Sequence, residues 1–316
     1  MKRILVVYYS QSGQLRDIVQ SVTGPLWENT GLEVRSLELK PSRPYPFPWP
    51  FWHFFNTFPE TVYADADPVE PLPLSDDERF DLVILAYQVW FLSPSLPTTA
   101  FLQSEQARRL LRDTPVVTLI GCRNMWLGAQ EKMKARLNAL GARLIDNIVL
   151  TDPAHSAATF ISTPMWVLTG KRGPFLGGLV PAAGVAPEDV AAAKRFGEAI
   201  AAQLPARAAD DASPMLSGLG AVRINERMIA SETIAGRSFR LWGGLLRSLG
   251  TQRSPLRRLV LVVYVAFLIT MILTVIPVSA VLKRLFAPLM RKRVQRQRAY
   301  FAAPSGESNH LLEPVA

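Results

Sequence analysis

Five residues near the amino terminus, Ser10-Gln11-Ser12-Gly13-Gln14, have the types and spacing to hold an anion. They follow the apolar run Ile4-Leu5-Val6-Val7-Tyr8-Tyr9, which reads as a buried strand, and precede a stretch of helical periodicity. The first backbone N–H groups of a helix have no partner within it, and the aligned peptide dipoles favour negative charge there. Serine hydroxyls add donors, and the glycine lets the backbone approach a ligand closely. The chemistry of such a turn is phosphate binding; the plainer alternative is a turn that only caps its helix. One glycine between strand and helix fits neither the dinucleotide fingerprint nor the Walker loop.

The remaining chemical inventory is thin. A single cysteine, Cys122, excludes a disulfide framework and a thiolate metal cluster. His53, His155 and His310 lack ligand spacing, so no metal is expected. There is no Gly-x-Ser-x-Gly elbow, and Cys122 at a strand end reads as a small buried hydrophobe. His155 is either a general acid or base or a structural histidine.

The elements that must position the turn alternate along the first two hundred residues. Strands are predicted at 3–9, 32–39, 81–87, 116–121 and 143–150, with helices near 14–28, 97–112, 127–140 and 187–204. Asp81 to Tyr87 and Val116 to Gly121 contain the continuous apolar runs of parallel strands covered on both faces. Pro187-Glu188-Asp189 marks the start of the last helix. The expected fold is α/β, a doubly wound five-stranded parallel sheet over 1–205 with its ligand at the carboxyl ends of the strands. Two insertions interrupt it. Residues 41–74 carry eight aromatics between Tyr45 and Phe58, with prolines alternating through the first of them. Such a stretch either packs as a satellite cluster or presents a greasy surface to a ligand or to lipid. Residues 151–186, with His155, Trp166, Lys171 and Arg172, emerge where a lid over the ligand face belongs.

The turn resembles the phosphate loop of flavodoxins, whose pattern Ser/Thr-x-Ser/Thr-Gly-x-Ser/Thr is met by Ser10, Ser12 and Gly13. The last hydroxyl position is Leu15, a departure that Gln14 is placed to offset. The resemblance implies FMN, with Ser10, Gln11, Ser12, Gly13 and Gln14 around its phosphate. It also implies that the loops after the third and fourth strands meet the ring. Trp90 is then the aromatic against the flavin, Gln88, Val89 and Phe91 offer backbone amides to its polar edge, and Asn124 and Trp126 lie nearby. The alternative for Trp90 and Trp126 is packing beneath their loops. Over 1–204 the chain also looks like bacterial proteins labelled dialkylresorcinol condensing enzymes. The stretches 6–15, 86–95 and Pro181-Ala182-Ala183-Gly184-Val185 carry that likeness. The label implies condensation, for which the residues are lacking; flavin-dependent aromatisation of an alkylated ring suits them better.

Charge divides the chain. Residues 1–236 hold 22 Lys+Arg against 24 Asp+Glu, whereas 237–306 hold 13 Lys+Arg and no acid. Residues 206–236 read as a linker. Phe239, Trp242, Leu245 and Leu249 then recur at helical spacing among arginines, as in an interfacial helix. Leu259 to Leu282 is uncharged for 24 residues, roughly 36 Å as a helix, enough to cross a hydrocarbon layer about 30 Å thick. A polar tail, 299–316, follows the basic segment 237–298. Both flanks of the apolar run are basic, so orientation is left open, and Pro277 can kink the run or turn it back to its own leaflet.

The expected partners are membrane lipid and a lipophilic small molecule, not nucleic acid, with the flavin domain on the cytoplasmic side of the inner membrane. Three functions stay open: an FMN-dependent oxidoreductase with NAD(P)H as a candidate donor, a tethered electron carrier, and a cofactor-free binding protein.

Overall fold

Residues on β1 (Lys2–Tyr8) alternate between two cores: Ile4 and Val6 face one, Leu5 and Val7 the other, and all four are fully buried. That two-sided burial makes this the centre of an α/β sandwich. The structure, a computed structural model, describes residues 1–306, and of residues 276, 277 and 279–289 the backbone alone. After β1 come α1 (Gln14–Trp27), β2 (Leu32–Glu38), α2 (Phe51–Tyr63), β3 (Leu82–Trp90) and β4 (Ser93–Pro94). Then follow α3 (Leu96–Gln103), α4 (Glu105–Leu111), β5 (Pro115–Cys122), α5 (Leu127–Ala139) and β6 (Arg143–Thr151). The chain ends with α6 (Ser156–Thr169), α7 (Pro187–Ala192), α8 (Lys194–Gln203), α9 (Glu226–Ser248), α10 (Pro255–Leu273) and α11 (Val275–Ala302).

The sheet order is β2-β1-β3-β5-β6 with every pair parallel; β4 is a two-residue antiparallel return on β3. This is the flavodoxin-like doubly wound arrangement expected from the sequence. Leu15, Ile18, Phe196 and Ile200 fill the face beneath α1 and α8, while Tyr87, Phe101, Leu127 and Met133 fill the other. A third cluster joins Phe58 of α2, Leu246 of α9 and Leu261, Tyr264 and Val265 of α10.

Three C-terminal expectations are revised. Residues 206–236 are no free linker. Met215, Leu216 and Ala221 enter the first core, Val222 and Ile229 the second, and the Val149 N–H donates to Ala221 O along the outer edge of β6. The buried Asp146 carboxylate accepts from Met215 N, Leu216 N and Ser305 Oγ, so this docking uses a side-chain acceptor that hydrophobic periodicity does not reveal. The single span over 259–282 is instead two helices. The break falls at Thr274 (φ −110°, ψ −59°), three residues before Pro277, which has no N–H to give. Among the described residues α10 alone is long and apolar enough to cross a membrane, with mean hydropathy 2.2 and only 22% of its apolar window buried. The tail of 299–316 starts as the end of α11 and a buried turn at Ser305; its residues 307–316 lie outside the described residues.

Candidate functional site

The turn after β1 sits at the carboxyl end of the sheet. Gly13 has φ +87°, a conformation that disfavours any side chain, and a Cβ built there meets nothing within 4 Å. Ser10 is buried and its Oγ accepts from Arg16 N at 3.1 Å, so it shapes the turn from behind the cleft wall. The Asp17 N–H reaches Gly13 O. The amides at the start of α1 thus surround an open concavity, with Ser12 on its wall. Leu15, at the departing position, is 1% exposed and points into the core, where its Cδ1 meets Gly121. Its backbone still belongs to the turn, and only the hydroxyl of the flavodoxin pattern is missing.

The two glutamines of the turn serve as ties. Gln11 Nε2 donates to Pro46 O at 2.8 Å, fixing the aromatic insertion. Gln14 exchanges hydrogen bonds with the backbone of Val185, fixing the end of the second insertion. The Gln14 side chain, expected to offset the missing hydroxyl, is engaged with Val185 in this structure.

A cleft of ≈ 130 Å³ runs from the turn between the loops after β3 and β5. Gln88, Val89 and Trp90 line it, as do Cys122, Arg123 and, from the lid helix α6, Thr163 and Trp166. Two buried polar atoms in this wall, Gln88 Oε1 and Thr163 Oγ1, have no hydrogen-bond partner. Such groups are costly when left unpaired, and here both belong to residues that face one cleft. Arg123, and not its neighbour Asn124, lines the cleft. Its Nε donates to Thr159 Oγ1 at 2.7 Å and its guanidinium lies 4.1 Å from the Phe160 ring centroid. Burial lowers its pKa to about 10 against the opposing pull of Asp152, so it stays a cation at neutral pH. Lid length and an arginine just past a strand end were the available signals.

Other expected ring contacts lie elsewhere. Trp126 is 3% exposed in the second core, so the packing alternative holds for it. Asn124 does not line the cleft. Phe91, at φ +46°, turns away to pack on Phe54, Phe58 and Phe239. His155 caps α6: its Nδ1 accepts from Ala157 N at 3.3 Å, at the exposed start of the lid helix and away from the cleft wall. That geometry gives it a capping role. Burial, then Glu232, pushes the Cys122 thiol up, which keeps it protonated.

Trp90 meets Tyr9, Tyr45 and Trp49 with ring centroids 5.0–6.0 Å apart, all edge-on. This wall separates the cleft from a larger cavity of ≈ 710 Å³ between α2 and the C-terminal helices. The larger space is polar and its charges are paired: Arg257 with Glu60, Arg247 with Asp65, Arg43 with Asp67. The cleft, not this cavity, joins the turn to unpartnered polar atoms. Among the described residues no group of His, Cys, Asp and Glu is arranged to hold a metal ion.

No protein-family model and no curated protein matches the chain. Among solved structures it is similar to a flavoprotein in complex with FMN from Lactobacillus acidophilus, at 17% identity over 46% of this chain and 92% of that one, TM-score 0.38. It is also similar to a flavodoxin from the domain Archaea, 11% identical over 64% of this chain and 98% of that one, TM-score 0.36. Oxidised flavodoxin 1 from Bacillus cereus is 12% identical over 62% of this chain and 95% of that one, TM-score 0.32.

Proposed function

We propose that the chain is a membrane-associated FMN-dependent oxidoreductase for a lipophilic substrate, working on the cytoplasmic face of the inner membrane. One observation carries the flavin reading: an open helix-start turn at Gly13 continues into a cleft that leaves Gln88 Oε1 and Thr163 Oγ1 unpaired. The amides of Ser12 to Leu15 would hold the phosphate. Gln88, Arg123 and Trp90 would border the ring, Arg123 as a cation beside its polar edge. Bound FMN would supply hydride or electron transfer, and the protein would orient it and exclude water.

The lid favours an enclosed substrate over an electron-carrier face. Trp166 and Phe47 meet edge to face at 6.2 Å across the cleft mouth, so a ring inside is covered. The exposed apolar face of α10 and the basic composition of 237–306, with 13 Lys+Arg of which Arg247, Arg257 and Arg298 are paired with acids elsewhere in the chain, support the membrane reading. An alkylated ring, aromatised as in dialkylresorcinol formation, is the substrate class this arrangement suits: the ring would give two electrons and two protons to FMN, and an electron acceptor such as dioxygen or a quinone would reoxidise the flavin, whereas NAD(P)H would be the donor only for a reductive reaction at the same site.

The test is flavin binding by the full chain in detergent. Added FMN should lose fluorescence on binding, and Ser12→Asp should abolish the effect through repulsion of the phosphate. Full-length, folded protein that leaves FMN fluorescence unchanged removes the reading.

A further inference from the structure

Both ends of the 255–302 segment stand on the same body. We propose that it is monotopic: α10 and α11 lie in one leaflet of an anionic bilayer and do not cross it. The inference rests on the membrane reading above and adds its topology.

The first foot is α10. Arg257 is 1% exposed and its guanidinium is bonded to Glu60 at 2.7 Å, to Asn56 and to Gly250 O. Tyr264 stacks on Phe58 at 4.7 Å with the rings nearly parallel, and Phe267 lies 5.2 Å from Trp242. The second foot is the end of α11. Tyr300 OH donates to Glu131 at 2.7 Å, Arg298 meets Glu226 at 3.1 Å, and Val294 and Phe301 pack on the second core. Beyond it Ser305 is buried, accepting from Asn147 N and donating to Asp146.

The two feet meet α9 near Trp242 and Glu226, sixteen residues or roughly 24 Å apart on that helix. Tyr264 and Arg298 are 34 residues apart, roughly 51 Å along a straight helix. Allowing about 10 Å of interaxial distance at each contact leaves the straight rod too long. The chain must turn back, and the break at Thr274 is where it does.

Reach then decides the topology. Leu268 of α10 still packs on the third cluster, and Leu273 is five residues on, roughly 8 Å. The far headgroups are about 30 Å away. With α11 held through the short end of α10 on one side and by its own C-terminal foot on the other, no part of the pair gets across while the feet stay docked. A depth of about 5–10 Å is that of a helix lying in the interface. The outward face suits it: Leu259, Val262, Val263, Ile269 and Leu273 share one exposed side of α10. Basic residues before and after the apolar stretch both lie at one anionic surface, which explains why charge bias does not choose an orientation.

The test uses the full chain with a different epitope at each terminus, in sealed membrane vesicles of both orientations. Added protease should remove both epitopes in inside-out vesicles and neither in right-side-out vesicles. Removal of one epitope from each orientation would show a crossing and overturn the proposal. A second measurement follows the α11 foot, with Glu226→Cys and Arg298→Cys joined by a short bis-maleimide in a Cys122→Ser background. The link should form equally in detergent and on vesicles of equal parts phosphatidylcholine and phosphatidylglycerol. A link formed in detergent and lost on vesicles would show the foot lifting and overturn it. Failure of the full chain to float with those vesicles is a separate result, which removes the membrane reading itself.

Discussion

Gln14 and Val185 hydrogen-bond in both directions: the Gln14 Nε2 donates to Val185 O at 3.1 Å, and Val185 N donates to Gln14 Oε1 at 3.0 Å. They are 171 residues apart, and the pair ties the first turn of α1 to the end of the lid segment. Gly184 beside it has φ +93°, and a Cβ there would lie 2.6 Å from Gln14 Oε1 and 2.9 Å from Trp166. Gln14→Ala loses both bonds, worth about 1–2 kcal/mol together. Expected outcomes are faster proteolysis within 151–186 and faster FMN release, with a small change in global stability. Gln14→Glu retains the acceptor for Val185 N but sets a carboxylate against Val185 O, so it should resemble Gln14→Ala. An unchanged proteolysis rate in both variants would show that the lid is held elsewhere.

Gly197 on α8 has no room for a side chain, because a Cβ would overlap the carbonyl oxygen of Val22 on α1 and crowd Pro25. Two backbones and a ring leave nothing flexible to yield. Gly197→Ala should therefore destabilise by about 3 kcal/mol or more, lowering Tm by roughly 5–10 °C, although alanine is the better helix former. A Tm equal to that of the parent would show that α8 can slide along α1.

The sheet was legible because its central strands are buried on both faces and so carry uninterrupted apolar runs, as Leu82 to Tyr87 do. The turn was legible because strand, small polar residues and helix follow one another directly. What hid were functions of single polar side chains. Gln14 reads as a ligand donor until its partner 171 residues away is known. Asp146 anchors residues 215, 216 and 305, which no periodicity joins. Arg123 and Asn124 are adjacent and both polar, and only the lid contacts of Thr159 and Phe160 distinguish them. The apolar run of 259–282 declares its length, but its docking depends on Tyr264 and Arg257 facing inward, which composition does not record.

Arg257 is the most deeply buried cation at the foot of α10, and its partner Glu60 is itself largely covered. Removing one member of such a pair leaves the other charge desolvated, at a cost of about 3–5 kcal/mol. Arg257→Met should release α10 from α2, seen as new proteolysis around 249–254 while the sheet stays protected. Adding Glu60→Gln to that variant should recover part of the loss, because no uncompensated charge then remains. If the single variant is cut no faster than the parent, the ion pair is not what holds the foot.

Glu232 sets the pH response. It lies on α9, 4% exposed, and its Oε1 accepts from Gly128 N at 2.6 Å at the start of α5, while Oε2 has no partner. Burial raises its pKa from an ordinary 4.5 to about 7, outweighing the amides of Gly128 and Leu127 that favour the anion. The folded protein thus holds this proton more tightly than the unfolded chain does. Stability from Glu232 is complete below about pH 4.5 and is lost as pH rises through 7, a change on the order of 1–3 kcal/mol. Glu232→Gln keeps an acceptor for Gly128 N and removes the titration. Denaturation of the full chain in detergent should show the variant matching the parent near pH 5 and exceeding it at pH 8. A gain that is the same at both values would mean the carboxyl does not titrate in this range, and a loss growing with pH would mean the anion is the form the fold prefers.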